Sequence, residues 1–307
     1  MKSFSCHKTP HKLRSRQTRQ QRQSEREDEM RDFNDQARPP PNAAEHRKEL
    51  FSLIRGLSYR HSQWQVFSDF VEMGALALSN AVDLAQRETR ETRYMEIVGR
   101  YRPDEVQQFP RMMAALTMAL EGEVTDVLGA TFHELELHNK WTGQFFTPYA
   151  LCKMMARATI GDRAELEERI KERGFLSASE PAAGSGAMVI ALADEMRGSG
   201  INYQQHLHVT AVDVDAKCVH MAYLQFSLLH IPAVIIHGNT LSLEEYGHWY
   251  TPAHILDGWS RKRSRQPAAT LHEIAQAPSI PAVPQADDTH EPPSGLPPAP
   301  PMQLKLF

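Results

Sequence analysis

Phe175-Leu176-Ser177-Ala178-Ser179-Glu180-Pro181-Ala182-Ala183-Gly184-Ser185-Gly186, followed by Ala187–Met196, decides the fold. Phe175–Ser179 reads as a short strand that runs into Glu180-Pro181, and Ala187–Met196 reads as a helix. Gly184 and Gly186 lie between them, where the absence of a Cβ lets the backbone turn tightly and lie close against a ligand. The pattern then repeats: His208–Val212 is a second strand, Ala216–His230 a second helix and Ala233–Ile236 a third strand. Strands alternating with helices at this spacing imply an α/β fold, with a parallel sheet and right-handed crossovers. Asp213 stands at the tip of the second strand, where dinucleotide-type folds accept hydrogen bonds from ribose hydroxyls. Val189 occupies the position where a pyrophosphate loop wants its third glycine, and Glu-Pro precedes the loop. Both features point away from NAD and toward a ligand without a pyrophosphate. The alternative is a plain tight turn.

Outward from this core, residues 44–140 read as a helical domain. Leu50, Ile54 and Leu57 recur at helical spacing, as do Trp64, Phe67, Phe70 and Val71. Phe109–Leu120 carries Met112, Met113, Leu116 and Leu120 on one side, with Pro110 near its start. Residues 1–43 are rich in Arg, Gln, Ser and Lys and read as a disordered basic tail. Residues 260–307 read as a disordered proline-rich tail behind Arg261-Lys262-Arg263-Ser264-Arg265, a run that either docks on phosphates or leads a solvated tail. Net charge is −4, so the chain is no polycation and contact with nucleic acid must come from local patches. Cys6, Cys152 and Cys218 show no metal-type spacing, which fits a reducing cytoplasm. No apolar run is long enough to span a membrane, and the basic N-terminus has no apolar core behind it to form a secretory signal.

A second motif precedes the loop: Gly143-Gln144-Phe145-Phe146-Thr147-Pro148. With Glu-Pro-Ala-Ala-Gly-Ser-Gly after it, residues 141–241 resemble the adenine-N6 DNA methylases, and most nearly the modification subunits of type I restriction systems. The resemblance implies that residues 141–259 form a partial Rossmann-like, S-adenosylmethionine-dependent methyltransferase domain. The cofactor would meet Phe146, Thr147 and Pro148, then Glu180, Pro181, Ala182, Gly184 and Gly186. Thr147 and nearby backbone would hold its methionine end, Glu180 and Gly184 would line the amino-acid and sugar region, and Asp213 would bind the ribose. Asn239 would face the adenine amino group; the family commonly has Asp there, and Asn keeps a carbonyl acceptor.

That family activates the poorly nucleophilic adenine N6 with Asn/Asp-Pro-Pro-Tyr/Phe, whose oxygens accept from the amino group while its ring stacks on the flipped base. No such motif stands here, so no catalytic residue is assigned. Glu291-Pro292-Pro293-Ser294 lies in the proline-rich tail and reads as linker. Strand-like sequence ends after the third strand, which leaves the first as an open edge, covered by Trp249–Trp259, by the N-terminal helices or by a partner. The expected function is methyl transfer to adenine N6 of DNA, with a second methylase or specificity subunit supplying what is missing. The rival is a non-catalytic DNA-associated regulator or restriction decoy; a protein or RNA methyltransferase is a third reading. The expected setting is bacterial, cytoplasmic and nucleoid-associated. Gln303-Leu304-Lys305-Leu306-Phe307 resembles the short peptide that binds the bacterial sliding clamp, with Leu306 and Phe307 filling an apolar pocket. His133 and His138 are spaced one residue too widely for a zinc-protease helix, and His206, His208 and His220 read as surface.

Overall fold

The structure is a computed structural model that describes residues 43–135 and 146–265. Both tails, the Gly143–Phe145 part of the second motif, His138, Glu291–Ser294 and the Gln303–Phe307 peptide lie outside the described residues. Among the described residues six helices come first: α1 (Ala43–Gly56), α2 (Gln63–Val82), α3 (Arg87–Val98), α4 (Pro103–Val106), α5 (Gln108–Gly122) and α6 (Val127–Glu134). The 20-residue α2 starts where Ser62 Oγ accepts the Gln65 N–H at 3.1 Å, a favourable N-cap. Its Val66, Phe67, Phe70 and Val71 are buried, as the helical spacing requires. Asp69, on the same helix, is also buried, where the Arg100 guanidinium at 2.7 Å and the Tyr101 hydroxyl at 2.7 Å satisfy it.

Next come α7 (Tyr149–Ile160), α8 (Arg163–Arg173), β1 (Leu176–Glu180), α9 (Ala187–Gly198), α10 (Tyr203–His206), β2 (Leu207–Asp213), α11 (Ala216–Leu228), β3 (Ala233–Asn239), β4 (Glu244–Tyr250), α12 (Pro252–Leu256) and α13 (Trp259–Ser264). The sheet order is β1-β2-β3-β4. The first three strands are parallel, as expected, with Ala178 opposite Val209 and Ala211 opposite Ile235. Val209, Ala211, Ala233 and Ile235 join Phe67, Phe132, Tyr223 and Phe226 in one continuous hydrophobic core, so helices from the first half pack directly against the strand-bearing half. No described helix is long and apolar enough to cross a membrane.

Two expectations are corrected. Strand-like sequence does not end after the third strand, because Glu244–Tyr250 pairs antiparallel with β3 across a bulge at His237/Gly238. Glu-Glu-Tyr-Gly-His-Trp-Tyr lacks aliphatic alternation, and tertiary contacts hold it. The Arg90 guanidinium of α3 lies 4.2 Å from the Trp249 ring centroid and donates to the His248 carbonyl at 3.0 Å. Arg90 itself is fixed by Asp83 at 2.8 Å and by the Ser79 hydroxyl. Among the described residues β1 is left as an edge, as expected, and Trp259 packs on Phe175 just ahead of it.

His208 and His220 are not surface residues. His220 is half-buried against Trp249, while His208 is 1% exposed, on the sheet face opposite Val209. His208 Nε2 lies 2.9 Å from His254 Nδ1, and His254 Nε2 lies 2.9 Å from Ser260 Oγ. Burial, reinforced by the nearby Arg263 charge, pushes His208 down to about 3 and His254 down to about 4. Both rings are therefore neutral in the folded chain at neutral pH, whereas the unfolded chain takes up protons below about 6.5. Because the unfolded state binds more protons in that window, stability falls as pH drops from about 6.5 toward 4, by up to about 1.4 kcal/mol per pH unit for each ring. Urea unfolding at a series of pH values checks this, and His208→Leu should flatten the slope.

Candidate functional site

The glycine loop is bound to the tip of the second strand by backbone and carboxylate together. Ala183 N–H donates to the Val212 carbonyl at 2.8 Å. Gly184 N–H donates to Asp213 Oδ2 at 2.7 Å, and Asp215 N–H donates to Asp213 Oδ1 at 2.9 Å. Gly184 (φ +55°) and Gly186 (φ +92°) adopt the left-handed region, which favours glycine. The two play different parts. A Cβ at Gly184 would lie 3.0 Å from the Phe146 ring, on the cleft side, whereas one at Gly186 would lie 2.4 Å from the Phe226 ring, in the core.

The cleft above this loop has a volume of about 250 Å³. It brings together five of the residues named from the sequence: Phe146, Thr147, Ala182, Gly184 and Asp213. Cys152, Met188 and Cys218 are among its other lining residues. The other five named residues stand elsewhere. The Pro148 carbonyl accepts from Leu151 and Cys152 N–H groups at the start of α7. Glu180 accepts the Ala182 N–H at 3.1 Å and lines a separate groove along β1. The Pro181 carbonyl accepts from the Thr240 hydroxyl at 2.6 Å. Gly186 packs on Phe226. Asn239 Oδ1 accepts from Leu241 N–H at 3.0 Å and Ser242 N–H at 3.3 Å, which closes the β3–β4 turn.

Among the described residues no lysine or arginine lines the cleft, and the Gly184 N–H that could have met a phosphate is held by Asp213. The site therefore suits a ligand that offers hydroxyl donors or positive charge rather than a pyrophosphate. Burial raises the Asp213 carboxyl above its ordinary range, against the opposing effect of the two backbone N–H donors. Burial also raises the Glu180 carboxyl and both thiols, Cys152 and Cys218, so neither sulfur is an activated nucleophile. Among the described residues no group of three or more His, Cys, Asp or Glu side chains could hold a metal ion.

Asp126, which the sequence reading did not single out, fixes the loop from below. Its Oδ1 accepts the Gly129 N–H at 2.8 Å and caps α6. Its Oδ2 accepts the Ser185 hydroxyl at 2.6 Å. Gln225 Nε2 on α11 donates to Asp126 Oδ1 and to the Ser185 carbonyl, both at 2.8 Å, while Gln225 Oε1 accepts the Leu128 N–H at 3.0 Å. All three side chains are buried. Asp126 ahead of an apolar run is legible as an N-cap, but its partners at Ser185 and Gln225 are 59 and 99 residues away.

The sequence pattern of the family described as N-6 DNA Methylase matches residues 101–257, about half of the chain. The chain belongs to the N-6 DNA methylase family. The match starts in the helical half and runs through the glycine loop, Asp213 and β4, so this member of the family carries its pattern across both halves of the core. No curated protein matches it in sequence. Among solved structures, it is similar to a protein of Listeria monocytogenes described as a class I S-adenosylmethionine-dependent methyltransferase, at 14% identity and a TM-score of 0.34, covering 64% of this chain and 54% of that one. It is also similar to the DrdV–DNA complex, at 16% identity and a TM-score of 0.34, covering 76% of this chain and 26% of that one. A type I restriction-modification methyltransferase subunit from Streptococcus thermophilus matches at 19% identity and a TM-score of 0.26, covering 58% of this chain and 39% of that one. The N-6 DNA methylase chain thus spans from about a quarter to about half of the length of these structures.

Asp126→Ala removes the acceptor of a buried hydroxyl, a buried amide and a helix cap at once. It should cost about 3 kcal/mol of stability, read as a fall in the urea midpoint with unchanged slope. A cost below about 1 kcal/mol would mean that the network does not hold the loop.

Proposed function

We propose that the chain binds S-adenosylmethionine in the cleft between Phe146, the Gly184 loop and Asp213. The observation that carries this reading is the 2.7 Å bond from Gly184 N–H to Asp213 Oδ2, which brings the glycine bend and the acid tip of β2 to one point. Asp213 keeps lone pairs for the vicinal hydroxyls of a ribose. The Asp213 carboxylate, with no cation lining the cleft among the described residues, favours a sulfonium ligand. Phe146 and Thr147 wall the cleft on the α7 side and serve the methionine end. Glu180 shapes the loop through the Ala182 N–H rather than lining the cleft. Asn239 spends its carbonyl oxygen on the β3–β4 turn, so its amide nitrogen is the group left for an adenine ring nitrogen.

The reaction we assign is methyl transfer to N6 of a flipped adenine in DNA, carried out with a partner chain. Asn/Asp-Pro-Pro-Tyr/Phe is absent from the sequence, and without it nothing accepts from the amino group or stacks on the base. A second methylase or specificity subunit would supply it, and the edge of β1 is where a partner strand can pair. The missing motif equally favours a second reading, a DNA-associated regulator or restriction decoy that kept the cofactor cleft. Calorimetry with S-adenosylmethionine should give saturable heat for the full chain and none for Gly184→Asp, which places a charged side chain against Phe146 at a left-handed position. Affinity should fall on acidification from a higher pH than an ordinary carboxylate would give, because Asp213 protonates early. Absence of heat with the native chain removes the cofactor reading. Radiolabelled transfer to DNA, RNA and protein then separates enzyme from binder.

We further propose that Gln303, Leu304, Leu306 and Phe307 bind a bacterial sliding clamp, the residues before them acting as a tether. Deleting 303–307 should abolish clamp capture by the purified chain; equal capture with and without the peptide ends this assignment.

A further inference from the structure

We propose that the sheet face opposite Val209 and Ala211 is the interface of a two-fold dimer of this chain. Parallel sheets are ordinarily covered on both faces. Here Val209, Ala211, Ala233 and Ile235 are buried in the main core, while the alternate residues form two cross-strand rows. One row is Thr210-Val234-Tyr250 and the other Val212-Ile236-His248. On this side lie α12 and α13, with His254, Ser260 and Arg263 beside the rows. They close over His208 at one end and leave an open cleft of about 570 Å³ lined by Thr210, Val234, Ile236, His248 and Tyr250. The His248 and Tyr250 rings lie stacked there, 6.2 Å apart and 11° from parallel.

The charges at the two ends of this face determine what fits it. At the start of β4 stand Glu244 and Glu245, both exposed, with Glu245 3.2 Å from His248. Toward the other end α13 presents Arg261, Lys262 and Arg263, with Arg265 just beyond, all exposed, and Arg263 lines the cleft itself. A two-fold axis crossing the strands places the acidic end of one copy over the basic end of the other, and the reverse, so both charge contacts form at once. No lysine or arginine stands between Lys217 and Arg261, so β3 and β4 contribute no cation for a phosphate backbone. The mixed face of apolar side chains and stacked rings with charged ends of opposite sign fits a second copy of itself.

Sedimentation velocity of the full chain tests this over about 1–100 µM, at about 50 and 500 mM salt. A dimer is expected that weakens at high salt. Glu245→Arg and Arg263→Glu should each weaken it about tenfold, and the two together should recover it to within about threefold, since the pair is then reversed rather than broken. Circular dichroism melts verify that each variant folds. A native chain that stays monomeric throughout overturns the proposal, and so does a double variant no tighter than the singles.

Discussion

Asp213 sits at the convergence of the chain's two functional ideas, the bend and the acid. Its carboxylate takes a backbone N–H from the loop after β1 on one oxygen and a backbone N–H from its own turn on the other. That arrangement fixes the distance between two strand tips with a group that is expensive to bury, and the two N–H donors offset much of the expense. Asp126 repeats the device one layer down, where it satisfies Ser185, Gln225 and the start of α6 together. The loop is thus held between two carboxylates, one facing the cleft and one facing the core.

The strand–loop–helix register was legible because everything that defines it is local. Glycines at left-handed positions, an acid at a strand tip and apolar runs of strand length all lie within short windows. β4 was not legible, since Glu244–Tyr250 gains its extended conformation from Arg90 and Tyr223, far away in sequence. His208 was misread for the same reason: nothing near it in the chain announces that His254 and Trp259 will close over it.

Within the site, sequence reasoning could name the motif but not the direction each side chain takes. Gly184 and Gly186 look equivalent on the page, yet one opens toward Phe146 and the other makes room for Phe226. Glu180 and Asn239 are likewise near the cleft in sequence terms, but both use their oxygens to shape turns. The division between residues that line the cleft and residues that build the loop is a tertiary fact.

The grip of Arg90 on β4 has an implication for how the molecule can come apart. A strand borrowed from the sheet by a helix of the other half makes the two halves mechanically dependent: fraying α3 releases the guanidinium, and the outermost strand loses its anchor with it. Any cut placed between the helices and the sheet would therefore leave the outermost strand with only its pairing to β3 and the packing of Trp249 on His220 and Tyr223.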